Sequence, residues 1–523
     1  MADRNDRILL DGSFTKSDPY NCGIMNLEKK GKNKFLKDEN YTINVKVSLK
    51  IIGFPSSAFI SCDDLLRFTG PSAKKEEMDV NFTNIVFTNT SMVFTDSSVS
   101  FVNCSFLQSF NPIQTKLVFH QSATVAVKGS LFYKNTGCIR LALFESDTQA
   151  AIHLDNVNFI QNRPPSNNEG SGISIYGASR TLMLHIDINI SCKNVLFSNN
   201  VGPLITNNVS FSETKEFYQR VKFVKNSVLL NASSGKGLYF SEGRNVTVVF
   251  DHIVSTGNAA NIRCVQFDSS AVKLKVFNSE INGHSLAAPH SGAGILIQAV
   301  RSSHVFIKNS SFNGNTAAHR GGAVAFNVTG GVINVTVCKS NFTNNSALNG
   351  GAFSVNSQLG FVLVDLEHVS FRNCRSNRTG GALFIIKNRL VQFRARFCSW
   401  MSGTAQVGSS IYISSFPTMT QSNATTKLKN CKFVNNSDML LGSVFVMSSV
   451  GSVEVFQTRW NKNSRAFAVV CNCRVNFTEV NVTECTGTAF HGLSSKRNRD
   501  SMKLHFERCV FRGNKEGDIY VFA

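Results

Sequence analysis

The sequence predicts an all-β protein that folds as a right-handed parallel β-helix, a solenoid of about 14 to 16 turns. Three observations predict this fold. A two-part motif recurs about every 30 residues, short runs between the motifs alternate apolar and polar residues, and the repeats lack the apolar period of a helix. A repeat of this length is typical of a solenoid, in which each repeat rests on the one before.

One half of the motif is a glycine pair followed by alanine and an apolar residue. Glycine allows a tight bend and a close approach of two backbones, so we expect each pair to turn the chain beside the next repeat. We expect the alanine to fit a narrow interior. The clearest pairs begin 29 and 30 residues apart, at Gly321-Gly322, Gly350-Gly351 and Gly380-Gly381.

The other half of the motif is Phe-x-x-Asn. We expect the phenylalanine rings to point inward and stack from turn to turn, because this side chain packs without a polar tip that needs a partner. We expect the asparagine to lie at a corner, to tolerate left-handed backbone angles and to bond the asparagines of neighbouring turns. Clear copies are Phe312 to Asn315, Phe342 to Asn345 and Phe433 to Asn436, and a degraded copy runs from Phe371 to Cys374.

The motif divides the chain into two regions. Residues 111–523 carry the regular β-helix repeats, each predicted to hold two or three short strands. Residues 1–110 keep a β pattern but lose the regular spacing, which indicates irregular turns or an N-terminal cap. The chain begins without a signal peptide and ends within a predicted strand, so we expect it to be truncated at the C-terminus and incomplete at the N-terminus.

The paired signatures, Gly-Gly-Ala-[Val/Leu/Phe] and Phe-x-x-Asn, resemble the repeats of the chlamydial polymorphic outer membrane protein family. More broadly, residues 110–523 resemble the pectin-lyase-like right-handed β-helix superfamily. The bacterial family implies a secreted adhesin followed by a membrane barrel, and we expect this chain to depart from it in having neither a signal peptide nor a C-terminal barrel. Similar repeats fit large extracellular proteins of invertebrate animals, and the glycosylation motifs favour that comparison.

Composition limits the classes of partner. A net charge of +20 is compatible with acidic polysaccharide or extracellular matrix as a partner. The alternative, which the dispersed positions of the charges favour, is that Lys and Arg keep a long β-rich body soluble. The interior accounts for the phenylalanines, so the exposed aromatic residues that nucleic-acid binding needs are not predicted. No apolar run of about 18 residues occurs, so we expect no membrane-spanning helix.

Eighteen Asn-x-Ser/Thr motifs indicate an N-glycosylated, extracellular or cell-surface protein. In Asn341-Phe342-Thr343 the phenylalanine faces inward, so the asparagine and threonine should face solvent. The alternative is that strand alternation creates such motifs without glycans. The candidate sites are Asn81, Asn103, Asn189, Asn245, Asn309, Asn334, Asn341, Asn377, Asn435 and Asn476.

The 14 cysteines indicate an oxidising compartment. Cys104, Cys431 and Cys509 each precede a motif phenylalanine by two residues, an inward position, so we expect buried free thiols there. The disulfide candidates are Cys22 with Cys62, and Cys471, Cys473 and Cys485 in adjacent late turns. The spacing of Cys471 and Cys473 does not match a zinc motif, and we predict no metal site.

The sequence predicts no catalytic residues and no cofactor. Asp63-Asp64 is an adjacent acidic pair, but we expect it to form a surface turn outside the regular repeats. His252 and His284 are predicted to be solvated turn residues. The hypothesis is therefore a non-enzymatic extracellular β-helix that acts in adhesion or matrix binding. The alternatives are a carbohydrate-active lyase or hydrolase and, third, an intracellular scaffold.

Overall fold

The computed structural model describes most of the chain, which forms two compact units, Met1–Val248 and Val249–Ala523. The predicted division at residue 110 concerns the regularity of the repeats and stays a prediction. The described residues are 6–11, 20–21, 41–44, 49–54, 57–62, 65–69, 79–117, 122–144, 148–166, 169–177, 186–210, 212–227, 237–259, 263–287, 289–358, 360–387, 390–415, 423–493 and 502–522.

The N-terminal unit consists of short strands in its described residues. They are β1 (Asp6–Asp11), β2 (Tyr20–Asn21), β3 (Tyr41–Asn44), β4 (Leu49–Phe54), β5 (Ala58–Ser61), β6 (Leu65–Thr69), β7 (Asp79–Thr83), β8 (Ile85–Thr88), β9 (Ser91–Thr95), β10 (Ser98–Val102), β11 (Ser105–Leu107), β12 (Ile113–Leu117), β13 (Ser122–Lys128), β14 (Leu131–Tyr133), β15 (Ile139–Leu143), β16 (Thr148–Asp155), β17 (Asn158–Ile160), β18 (Ile173–Gly177), β19 (Ile186–Lys193), β20 (Leu196–Ser198), β21 (Ile205–Asn208), β22 (Ser212–Gln219), β23 (Lys222–Val224) and β24 (Tyr239–Asp251), which begins in this unit.

The C-terminal unit is built in the same way. Its described strands are β25 (Val254–Thr256), β26 (Val265–Phe277), β27 (Glu280–Asn282), β28 (Ser285–Leu286), β29 (Ile295–Lys308), β30 (Ser311–Asn313), β31 (Thr316–Arg320), β32 (Val324–Val328), β33 (Val332–Cys338), β34 (Asn341–Thr343), β35 (Ser346–Asn349), β36 (Phe353–Ser357), β37 (Phe361–Glu367), β38 (Ser370–Arg372), β39 (Arg375–Thr379), β40 (Leu383–Lys387), β41 (Leu390–Arg396), β42 (Ser399–Met401), β43 (Thr404–Ala405), β44 (Ile411–Ser415), β45 (Asn423–Lys429), β46 (Lys432–Val434), β47 (Ser437–Asp438), β48 (Val444–Phe456), β49 (Arg459–Asn461), β50 (Phe467–Thr478), β51 (Asn481–Thr483), β52 (Phe490–Leu493), β53 (Lys503–Glu507), β54 (Val510–Arg512) and β55 (Ile519–Phe522).

One turn of the C-terminal unit shows how the fold is built. Strands β32 and β33 form one side, β34 forms the next, and β35 belongs to a small third sheet. Each strand pairs in parallel with its counterpart one turn later, as β33 does with β37 and β34 with β38. The predicted all-β parallel solenoid is therefore confirmed, with about 14 turns.

No described segment forms a helix of the length and apolar character that membrane crossing requires.

The motif aromatic residues stack along the interior of each unit, as predicted. In the N-terminal unit the rings of Phe106, Phe132 and Phe159 follow one another with centroids 4.6 and 4.7 Å apart. In the C-terminal unit Trp400 and Phe433 lie 4.6 Å apart and nearly parallel. Such pairs add about 0.5–1.5 kcal/mol each beyond the burial of their area.

The motif asparagines form a buried ladder, but the predicted left-handed backbone lies one residue earlier. Asn315 and Asn345 are fully buried, and the main-chain N–H of Asn315 donates to Oδ1 of Asn345 at 3.0 Å. The residue with positive φ is Asn344, at 54°. The corner bends at this position so that the next side chain points into the interior. The ladder asparagine is therefore required for the hydrogen bonds of its side-chain amide, and not for a tolerance of left-handed backbone angles.

The two glycines of each pair have different roles. Gly350 has a φ of +65°, a conformation that favours glycine. Gly351 has no positive φ, but a Cβ atom there would overlap the carbonyl oxygens of Gly381 and Arg375. The first glycine makes the bend, and the second lets successive turns approach each other.

Candidate polyanion-binding surface

A group of six cationic side chains lies on the outer surface of the C-terminal unit, and we call it the basic band. On β41 the residues alternate, so that Phe393 and Ala395 are buried while Arg394 and Arg396 face solvent. The register with β45 places Lys427 beside Arg394 and Lys429 beside Arg396. The band comprises Arg394, Arg396, Lys427, Lys429, Lys432 and Arg459.

The last two members lie past the next corner, on the short strands. Lys432 on β46 pairs directly with Arg459 on β49, and both side chains are exposed. Paired residues on adjacent parallel strands lie about 4.8 Å apart, and alternate residues on one strand about 6.7 Å apart. Cations at such distances reinforce one another's potential, so the surface attracts anions more strongly than the same charges would if dispersed.

Carboxylates neutralise part of the band. The Arg396 guanidinium lies 3.8 Å from the carboxylates of Asp365 and Glu367, and Lys427 Nζ lies 2.8 Å from Glu454. Six cations and three carboxylates leave a local charge of +3. In the part of the chain that the structure describes, Arg394, Lys432 and Arg459 form no ion pair and can bind an anion without breaking one.

Among the described residues, two carboxyl groups have raised pKa values, and both are buried. Burial raises the pKa of Glu216, although the hydroxyls of Tyr218 and Tyr239 oppose the shift by donating to Oε2 at 2.5 and 2.8 Å. Burial likewise raises the pKa of Asp438 to about 6, and Ser464 Oγ donates to its Oδ2 at 2.7 Å. Both carboxyl groups are hydrogen-bonded to side chains of their own unit, and we interpret both as internal polar contacts.

The two histidines predicted to be solvated turn residues, His252 and His284, differ in their burial. His252 is exposed, as predicted, and its Nδ1 lies 2.7 Å from Asp251. The prediction for His284 is wrong, because this side chain is fully buried and a hydrogen bond of 2.9 Å joins its Nε2 to Ser255 Oγ. The physical reason is its position in the turn, since His284 occupies the inward place of the ladder asparagine. Its main-chain N–H donates to Oδ1 of Asn315.

In the described ranges, no group of three or more His, Cys, Asp or Glu side chains is placed to hold a metal ion. Asp63 and Asp64 lie outside the described residues.

The candidate glycosylation sites all reach the surface. Seven are exposed, namely Asn103, Asn189, Asn245, Asn309, Asn341, Asn377 and Asn435, and three are half-buried, namely Asn81, Asn334 and Asn476. Asn309 and Asn341 also border a surface groove of about 360 Å³, together with Asn278, Ser279, Glu280, Ser310, Ser311 and Lys339. Whether the sites carry glycans stays a prediction.

The cysteines divide into two groups. Cys104 and Cys431 are buried free thiols, as expected, while the free thiol of Cys509 is only half-buried. Cys485 also carries a buried free thiol, so the structure does not support it as a disulfide candidate; its Sγ lies against the Thr483 carbonyl of its own turn. Cys62 and Cys473 are not among the free thiols of the described residues. Their pairing stays a prediction, because the side chains of Cys22 and Cys471 lie outside the described residues.

The basic band was not predicted, although the sequence holds a signal for it. Counted back from the stacked aromatic residue of each turn, Arg394 and Lys427 occupy the same position before Trp400 and Phe433. Lys432 and Arg459 directly precede Phe433 and Trp460. Aligning the repeats on these rings would have placed the cations in columns.

No protein-family model matches the chain, and no curated protein matches it.

Proposed function

We propose that this chain is a non-enzymatic extracellular β-helix protein that binds acidic polysaccharide of the cell surface or matrix. The observation that carries the proposal is the basic band, in which the register of adjacent turns concentrates six cations on one surface. Sulfate and carboxylate groups spaced along a polysaccharide match a row of fixed cations, and the contacts would weaken with salt.

Two further features support an extracellular location. All ten candidate Asn residues for glycosylation are at least partly exposed. The paired glycine and phenylalanine motifs resemble those of pectin-lyase-like and chlamydial surface proteins. Both features are what a secreted pectin-lyase-like adhesion protein would have.

The test compares two triple variants that each remove three positive charges. R394Q/K432Q/R459Q changes three of the four cations of the basic band that form no ion pair among the described residues, and leaves the fourth, Lys429, in place. K128Q/K193Q/K222Q is the matched control, since these lysines also face solvent from strands and form no ion pair among the described residues. Binding to a sulfated polysaccharide is measured by calorimetry at physiological salt.

We expect the first variant to bind about tenfold more weakly, because about 1.4 kcal/mol of binding free energy is lost over three partly screened contacts. The control should bind within about twofold of the native chain. Equal losses in both variants would mean that total charge, rather than the basic band, holds the polysaccharide. A native chain that does not bind would refute the proposal itself.

A further inference from the structure

The corner that leads into each short strand forms a column in the C-terminal unit, and one of its residues is exceptional. At this corner the backbone is left-handed, which suits asparagine and glycine. The column residues with positive φ include Asn278, Asn309, Lys339, His368, Phe397, Asn430 and Gln457. Phe397, at 54°, is the one hydrocarbon side chain with a positive φ among the described residues outside glycine.

Phe397 is also exposed, unlike the stacked phenylalanines of the interior. Its relative exposure is 47%, and its ring lies parallel to the imidazole of His368 with centroids 4.9 Å apart. One face of the ring is therefore supported by the preceding turn. A bulky residue in a left-handed conformation costs free energy, and such strain is often found at functional sites. Interior packing does not explain this residue.

Phe397 adjoins the basic band. It directly follows Arg396, and the register of β41 with β45 places Lys429 in the turn beside it. Lys432 lies just past the corner, on the short strand of that next turn. An aromatic ring bordered by cations matches a ligand that has both an apolar ring face and negative groups.

The carboxylates around the band indicate how such a ligand would lie. Asp365 precedes Arg394 in its column by one turn, and Glu454 follows Lys427 by one turn. A polyanion running from turn to turn would meet these carboxylates after two cations. A polyanion running along the strands would pass Arg394 and Arg396, cross the corner at Phe397 and reach Lys432. Neither β41 nor β46 carries a carboxylate on this path.

We infer that Phe397, supported by His368, is a stacking subsite for one sugar ring of an acidic polysaccharide that crosses the corner along the strand direction. The inference rests on the proposed function. The C–H groups on the apolar face of a pyranose carry partial positive charge, and they pack against the negative face of the aromatic ring. The flanking cations then bind the acidic groups of the neighbouring sugars.

The test uses F397N, because asparagine occupies the same corner at Asn309 and Asn430 and tolerates its backbone angles. The fold should therefore survive, and the melting temperature should not fall. Binding is measured with a sulfated oligosaccharide and with inorganic polyphosphate, which is a polyanion without a sugar ring. F397Y serves as the conservative variant, since tyrosine keeps the aromatic face.

We expect F397N to bind the oligosaccharide about five- to tenfold more weakly, with an unchanged dependence on salt. Polyphosphate binding should be unchanged, and F397Y should bind like the native chain. Equal oligosaccharide binding by F397N and the native chain would overturn the subsite while leaving the basic band in place. Equal losses for both ligands would also overturn it, because Phe397 would then act through the shape of the corner. A single-stranded oligonucleotide that binds more tightly than the sugar and depends on Phe397 would assign the ring to a nucleobase instead.

Discussion

The side chain of Asn345 accepts two hydrogen bonds from Asn315 of the preceding turn, one from the main-chain N–H at 3.0 Å and one from Nδ2 at 3.1 Å. Its own Nδ2 donates to the carbonyl oxygen of Phe312 at 2.9 Å. All of these groups are buried. The asparagine thus replaces the strand pairing that the chain gives up at the corner.

Replacing Asn345 with alanine should destabilise the protein by about 3–5 kcal/mol, because several buried polar groups lose their partner. The measurement is the midpoint of chemical denaturation. N313A is the control, since Asn313 lies in the preceding turn but is exposed, and water can replace its bonds. Similar midpoints for the two variants would show that the ladder contributes little.

Gly351 should tolerate alanine less well than Gly283 does. At Gly283 the φ is +72° and a Cβ atom would meet nothing within 4 Å, so G283A should cost only the strain of about 1–2 kcal/mol. At Gly351 the added atom would overlap two carbonyl oxygens of the next turn. We expect G351A to lower the melting temperature by more than G283A does, or to prevent folding. The reverse order would mean that the turns can separate at little cost.

Glu216 should make the stability of the protein depend on pH. Its pKa is raised in the folded state, so the folded protein holds the proton more tightly than the unfolded chain does. Stability is then greatest below the ordinary pKa of 4.5 and falls as the pH rises through the folded pKa. E216Q, which keeps the shape without the charge, should melt at a higher temperature than the native chain at pH 7, and the difference should disappear near pH 4.

Melting curves between about pH 4 and 8 check this prediction. E213Q is the control for the loss of one negative charge, since Glu213 lies on the same strand, β22, but faces outward. A native chain that melts at the same temperature as E216Q across this range would contradict the prediction.

Asn341 should be glycosylated when the chain is produced through a eukaryotic secretory pathway. The side chain is exposed, and Thr343 completes the motif on the outer side of β34. The mass of the native chain should fall after enzymatic removal of N-glycans, and N341Q should lack one glycan. N313Q, an exposed asparagine outside any motif, should have the full set. A mass equal to that of the bare polypeptide would favour strand alternation as the origin of these motifs.

The inward-facing part of the fold could be predicted from the sequence, because every turn needs the same interior. Phe342 and Gly351 each lie 29 or 30 residues from their counterparts in the neighbouring turns, and the structure places them as expected. His284 was harder to predict because it replaces an asparagine beside Ile281, where the motif itself has changed. The small Ser255 of the turn before makes room for the larger imidazole, a compensation visible only once the register is known.

The outer surface could not be predicted in the same way, since nothing in the interior constrains it. Arg394 and Lys427 are far apart in the sequence and lie side by side only through the register of β41 with β45, as Lys432 and Arg459 do through that of β46 with β49. The prediction that the interior accounts for the phenylalanines is wrong for Phe397, which occupies the corner rather than an inward strand position. It is also wrong for four other exposed rings, those of Phe110, Phe144, Phe217 and Phe361. Residue type alone does not distinguish these positions.

The spacing of the stacked rings hardly changes although the turns differ in length. Phe371, Trp400, Phe433 and Trp460 are separated by 29, 33 and 27 residues, yet successive ring centroids lie 5.5, 4.6 and 4.8 Å apart. The extra residues must therefore be accommodated between the strands rather than within them. Insertions and deletions between the strands therefore cost little folding free energy. The same scaffold can thus acquire new recognition loops while its interior is inherited unchanged.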